Sequence, residues 1–114
     1  RETNENDYVD IHKGDKCYSR VGKSFNGGPQ PLSLGKGCTD FGTILHELGH
    51  SVGFNHEHSR SDRDEYLIVH KENVLSGYER DFEKLWENKT RTIGDFDYDS
   101  IMLYGLLCLF KGSV

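Results

Sequence analysis

His46-Glu47-Leu48-Gly49-His50-Ser51-Val52-Gly53-Phe54-Asn55-His56 is the stretch whose reading decides this chain. It has the form H-E-x-x-H-x-x-G-x-x-H. Histidines four apart lie one turn apart on the same face of a helix, so His46 and His50 can grip one ion together. Glu47 falls beside that pair, where a carboxylate can take a proton from a water on the metal. Gly53 can adopt a positive φ, end the helix and turn the chain back. That turn lets His56 arrive as a third ligand. Three protein ligands leave a fourth position open, the arrangement of a catalytic zinc rather than a closed structural one. Any one of these histidines alone would read as a solvated or core-edge side chain. The five fixed positions together carry the assignment, since average residue usage produces them by chance in roughly one chain in 10⁶.

Outward from the motif, Phe41, Ile44, Leu45, Leu48 and Val52 follow the spacing of one apolar helical stripe. The stripe predicts a helix whose apolar face packs on a core while His46 and His50 face a cleft. Thr39 or Asp40 is the expected N-cap. Upstream, Tyr8-Val9-Asp10-Ile11-His12 alternates and reads as a strand. Residues 17–22 read as a second strand and Leu32-Ser33-Leu34 as a third, with turn chemistry at Asn26-Gly27-Gly28-Pro29-Gln30-Pro31. Downstream, residues 66–69 read as a short extended or helical piece. Residues 77–86 read as a helix with Tyr78, Phe82, Leu85 and Trp86 on its core side. Arg60, Asp62, Arg63, Asp64 and Glu65 alternate in sign and read as a structural ion network. His12, His58 and His70 read as non-ligands. Asn88-Lys89-Thr90 is a glycosylation acceptor sequence, at home on a surface turn.

Composition bounds the classes. The chain has 114 residues, enough for one domain, and a net charge of −5 with histidines neutral. That balance offers no basic footprint for nucleic acid or anionic membranes. No apolar run approaches the length of a membrane span. There is no initiator methionine and no signal peptide, which reads as a mature chain or an excised piece. Three cysteines is an odd count, so at least one thiol lacks a partner within the chain.

The motif continues with Glu57 and His58-Ser59-Arg60-Ser61-Asp62-Arg63-Asp64-Glu65-Tyr66. Later comes Tyr98-Asp99-Ser100-Ile101-Met102-Leu103-Tyr104-Gly105. An extended histidine motif with a later methionine turn is the metzincin signature. With Glu57, the SRSDRDEY run and the S-I-M-x-Y-G turn, the chain resembles the astacin family of zinc endopeptidases over about residues 8–105. The wording SRSDRDEY and SLGKG leans toward arachnid venom or digestive members.

The resemblance implies an α+β, zincin-like, two-subdomain catalytic domain: a mixed sheet plus the active-site helix, then a mostly irregular C-terminal half. Residues 1–56 would be the N-terminal portion and 57–114 the C-terminal portion of one peptidase domain, truncated at both ends. It implies one zinc ion per chain on His46, His50 and His56, with Glu47 as general base. Tyr104 would be a fifth ligand at rest that swings to stabilise the oxyanion. Met102 would be an apolar floor. Cys17 and Cys38 would form a disulfide, two free thiols being the alternative, in a secreted, extracellular protein. In the family the glutamate at the position of Glu57 contacts the new N-terminus of the mature enzyme; a chain without that N-terminus is expected to leave Glu57 a partnerless carboxylate. The strand before the helix, around residues 30–34, would be a sheet edge that pairs with extended substrate. A zymogen pro-segment, a monomeric state and protein or peptide substrates, whether matrix, dietary or venom-target proteins, are also implied. The chain departs from the family in two places. Leu103 stands where a histidine is usual, and residues 106–114 do not resemble the family's continuation. Cys108 lies too close to Met102 to match the family's other bridge and reads as a free thiol. An inactive zinc-binding fragment of a longer protease is the alternative.

Overall fold

The strand order follows from which segments have main-chain partners to offer. The computed structural model describes residues 4–105 and divides the chain into two units, Arg1–Asn55 and His56–Val114. In the first unit, β1 is Tyr8–His12, β2 is Cys17–Ser19 and β3 is Pro29–Leu34. The sheet order is β1-β3-β2, with β3 parallel to β1 and antiparallel to β2. The sheet is therefore mixed, as expected, and the single α-helix of the described residues, α1, is Phe41–Val52.

Two strand expectations need correction. β2 stops at Ser19, short of residue 22. β3 begins at Pro29, inside the stretch assigned to turn chemistry. Proline cannot donate to a ladder, so it belongs where one side of a strand is unpartnered. β2 reaches only Leu32, Ser33 and Leu34, and Pro29, Gln30 and Pro31 face a strand on the β1 side alone. The expected substrate edge at residues 30–34 is corrected for its second half: residues 32–34 lie between β1 and β2, while Gln30 and Pro31 are paired on the β1 side alone.

Leu32, Ser33 and Cys38 are essentially inaccessible and form the centre of this unit. Ser33 Oγ donates to Lys16 O at 2.6 Å, and Gly35 N–H donates to the same carbonyl at 3.2 Å. A β-carbon on Gly35 would lie 2.6 Å from the Asp15 carbonyl carbon, so only glycine fits this crossing. Cys17 and Cys38 are joined in the expected disulfide, with Cα atoms 5.5 Å apart. The bridge ties β2 to the segment that leads into α1.

α1 starts where Asp40 Oδ1 accepts the Thr43 N–H at 3.0 Å, which settles the N-cap in favour of Asp40 over Thr39. Its burial reverses the expectation. Glu47 and His50 are its buried residues, while Phe41 and Val52 are 78% and 74% exposed and Leu45 and Leu48 are also exposed. The helix packs on β2 and β3, and it meets them through its polar face, as in the 2.8 Å Ser19–Ser51 hydroxyl contact. Of the apolar stripe, only Ile44 is half-buried.

The second unit holds four 3₁₀ turns and, among its described residues, no α-helix or strand: Glu57–Ser59, Arg63–Glu65, Lys71–Asn73 and Glu79–Phe82. Side chains do the organising instead. Arg60 binds both carboxylate oxygens of Asp62 at 2.9 Å, Glu57 Oε1 at 2.9 Å, and the carbonyls of Asp95 and Gly94 at 2.9 and 3.1 Å. Its guanidinium lies 5.5 Å from the centre of the Phe96 ring. Arg63, 3% exposed, donates to His58 O at 2.8 Å and to Asp64 at 3.0 Å. The alternating charges thus pair as expected, Arg60 with Glu57 and Asp62 and Arg63 with Asp64, and Val74, Phe82, Phe96 and Met102 are the buried apolar side chains of this unit. The helix expected over residues 77–86 shrinks to Glu79–Phe82. The Leu85 N–H goes to Ser59 O at 2.8 Å rather than into a helix, and only Phe82 of the four expected core residues is buried. Residues 66–69 form no regular element.

Two outcomes are expected. Replacing Cys17 and Cys38 by serine opens a loop of 21 residues and should lower stability by about 3 kcal/mol in urea unfolding. The Arg60 hydrogen bond holds the Asp62 carboxyl below its ordinary 3.8. The stabilisation is therefore complete above that ordinary value and lost as pH falls through the lower folded one. Asp62→Asn should flatten this part of the acid limb in a pH series of thermal melts, and an unchanged limb would contradict it.

Candidate metal centre

The geometry of the motif follows from how α1 ends. Gly53 has φ 112°, a conformation that side-chain-bearing residues avoid. Its N–H donates to His50 O at 2.9 Å, and the Phe54 N–H donates to Gly49 O at 3.0 Å. These bonds satisfy the last helical carbonyls and reverse the chain. The Gly22 N–H also donates to His50 O, at 2.8 Å, which pins the helix end to the loop after β2.

His46 and His50 sit one turn apart, with ring centres 4.7 Å apart and planes 86° apart. With His56 they offer three nitrogen atoms that all lie within 4.8 Å of one another. Among the described residues this is the group of histidines, cysteines and carboxylates able to hold a metal ion. Nδ1 of His50 lies 2.8 Å from Phe54 O. A carbonyl can only accept, so Nδ1 carries the proton and Nε2 keeps its lone pair for a metal. The same turn that ends the helix therefore sets the tautomer of a ligand.

Glu47 is 5% exposed, and its Oε2 is buried with no hydrogen-bond partner among the described residues. Burial pushes its carboxyl above the ordinary value, against the opposing pull of His46 and His50. An unshared buried carboxylate oxygen is costly unless something polar meets it. Such an atom on the turn that carries His46 and His50 fits a site built for a cation and its water. Three imidazole nitrogens suit zinc, which favours nitrogen ligands and a tetrahedral set with one open place.

The His56 ring stacks at 5.2 Å and 18° on His58 and meets Tyr104 at 4.4 Å. Tyr104 also lies 4.2 Å from His58 and 5.9 Å from Phe82, measured between ring centres. The Glu57 N–H, next along the chain, donates to Met102 O at 2.9 Å, so the methionine turn is tied directly behind the third histidine. Met102 itself is 5% exposed. Leu103 lines a cavity of about 520 Å³ together with His58, Phe82, Tyr98 and Tyr104, so apolar wall stands where a polar contact is usual.

The other singled-out residues take definite places. Glu57 is not partnerless: its Oε1 accepts from Arg60 and from the Asp97 N–H at 3.1 Å. His58, 3% exposed, has its Nε2 3.0 Å from Asp81 O, which makes that nitrogen the donor. Burial holds His58 below the ordinary imidazole value. His12 and His70 lie by Asp10 O and Glu72. Cys108 lies outside the described residues. Sequence reasoning missed the carbonyls of Phe54 and Asp81 and the Gly22 N–H. Every residue carries such groups, so no residue type could have signalled them.

Comparison with known proteins gives the same picture. The family model described as Astacin, a peptidase family, matches residues 1–112. The chain is 78% identical over 113 residues to astacin-like metalloprotease toxin 1 of Loxosceles intermedia, covering 99% of this chain and 43% of that protein. It is 79% identical over 105 residues to astacin-like metalloprotease toxin 5 of Loxosceles gaucho, covering 92% and 56%. Among solved structures it is similar to high choriolytic enzyme 1, a hatching enzyme zinc-protease of the medaka Oryzias latipes. That match has a TM-score of 0.84 at 40% identity and covers 96% of this chain and 54% of that one. The chain thus spans about half the length of the relatives it matches.

Zinc titration should detect one tight site per chain. Alanine at His46, His50 or His56 should each weaken it by more than the roughly 10–100-fold typical of losing an outer partner of a ligand. Alanine at His12 or His70 should leave it unchanged.

Proposed function

Because this chain belongs to the astacin family of peptidases, we propose that it is the zinc-binding core of a secreted endopeptidase that hydrolyses peptide bonds in proteins. The observation that carries this is the close set of three histidine nitrogens together with the unshared buried oxygen of Glu47. Zinc, one ion per chain on His46, His50 and His56, would supply Lewis acidity that makes water acidic near neutral pH and polarises the scissile carbonyl. Glu47 takes the proton from the attacking water and passes it to the leaving amine. Burial raises its basicity for the first transfer. The Tyr104 phenol, poised against His56, donates a hydrogen bond to the oxyanion. Met102 supplies an apolar floor.

Residues 1–56 and 57–114 act as the two portions of one peptidase domain. The substrates are proteins or peptides, of the matrix, dietary or toxin-target kind. The disulfide supports an extracellular setting. The parent carries a pro-segment and works as a monomer. No helix of the described residues is long and apolar enough to cross a membrane.

Gelatin digestion by the purified chain, with zinc content read on the same sample, tests the proposal. Glu47→Ala should keep the zinc and lose about 10²–10⁴-fold in rate. Tyr104→Phe should cost about 10²–10³-fold in kcat. Stoichiometric zinc without any Glu47-dependent cleavage would instead assign the activity to a longer parent chain, since this chain spans about half the length of the relatives it matches.

A further inference from the structure

Asn88-Lys89-Thr90 is the only N-x-S/T triplet in the chain and takes no part in peptide hydrolysis. Asn88 is exposed within a turn at residues 87–89. The carbonyl of Trp86 organises that turn: it accepts the Lys89 N–H at 2.9 Å and the Thr90 hydroxyl at 3.1 Å. The first bond closes a reverse turn. The second restrains the β-branched side chain that completes the triplet. Trp86 stands two residues before Asn88 and is 73% exposed. Indole is among the largest apolar surfaces a side chain can bring, and leaving it in water forfeits its burial. In the same unit Phe82 and Phe96 are buried, and Tyr66 and Tyr98 each pack a ring 5.0 Å from Phe96.

We propose that Asn88 carries an N-linked glycan whose first sugar lies against the exposed face of Trp86. One face of a pyranose is a row of C–H groups with partial positive charge, and the indole face is negative. Stacking them shields the ring and orders the sugar. The modification needs a lipid-linked oligosaccharide pyrophosphate of the secretory pathway as donor. Asn88 Nδ2 bonds to the sugar's anomeric carbon, the bond from that carbon to the pyrophosphate oxygen breaks with its electron pair staying on oxygen, and one amide proton leaves. The inference rests on the extracellular reading given above and is independent of catalysis.

The test secretes the chain from insect cells behind a cleavable leader, with Glu47→Ala in every variant to prevent self-cleavage. Peptide mapping after treatment with a peptide N-glycosidase should find Asn88 converted to Asp. Thr90→Ala and Asn88→Gln should each abolish that conversion. Trp86 is the chain's only tryptophan, so its fluorescence reports the second half of the proposal directly. Acrylamide should quench the glycosylated protein less than the same sample after sugar removal, and the two sugarless variants should match the latter. An unmodified Asn88 in secreted, disulfide-bridged protein overturns the proposal and leaves the peptidase reading standing. Glycosylation with unchanged quenching overturns the stacking. Free thiols at Cys17 and Cys38 in the secreted chain would overturn the extracellular reading and this proposal with it.

Discussion

Everything at the metal centre depends on where α1 stops. A helix places His46 and His50 side by side, but a helix that ran on would carry residue 56 away along its axis. The break at Gly53 requires a backbone conformation with φ of 112°, which glycine adopts without the steric cost that a β-carbon imposes. Two N–H groups, those of Gly53 and Phe54, then satisfy the final carbonyls. The carbonyl of Phe54, turned inward by the same break, takes the proton-bearing side of His50. One local constraint thus terminates the helix, delivers the third histidine and selects the imidazole tautomer.

The first unit is small, and its covalent and polar ties compensate for a thin core. Leu32 is its fully buried large aliphatic side chain. Around it, the Cys17–Cys38 bridge, the Ser33 and Gly35 bonds to Lys16 O, and the Gly22 bond to the helix end are each specific to one geometry. A chain of this length buries proportionally less surface than a larger domain, so restraints that lower the freedom of the unfolded state carry more of the stability.

The second unit solves the same problem with ions. Among its described residues, four short 3₁₀ turns leave most main-chain groups without a helix or ladder partner, and such groups still need donors and acceptors. Arg60, itself half-buried, donates to the exposed carbonyls of Asp95 and Gly94 while holding Glu57 and Asp62. Arg63 meets the carbonyl of His58. Guanidinium suits this work because its planar fork presents five fixed donors that remain charged. The network therefore acts as the scaffold of residues 57–97 rather than as surface decoration.

The sequence by itself determined the parts of this protein that rest on local spacing. The three histidines and Glu47, the helix from a cap at Thr39 or Asp40 to the break at Gly53, the first strand and the metzincin motifs are all legible because each obeys rules that act within a few residues. The tertiary structure alone decided what depends on partners distant in the chain. It made β3 a central strand that begins at proline, because β2 covers only its second half. It gave Glu57 to Arg60 and Asp97. It reduced the aromatic helix to one turn, because the Leu85 N–H found Ser59 O. It also turned the polar face of α1 inward and left Phe41 and Val52 in solvent. Periodicity states that a helix has two unlike faces, but which face is covered depends on what the rest of the chain brings against it.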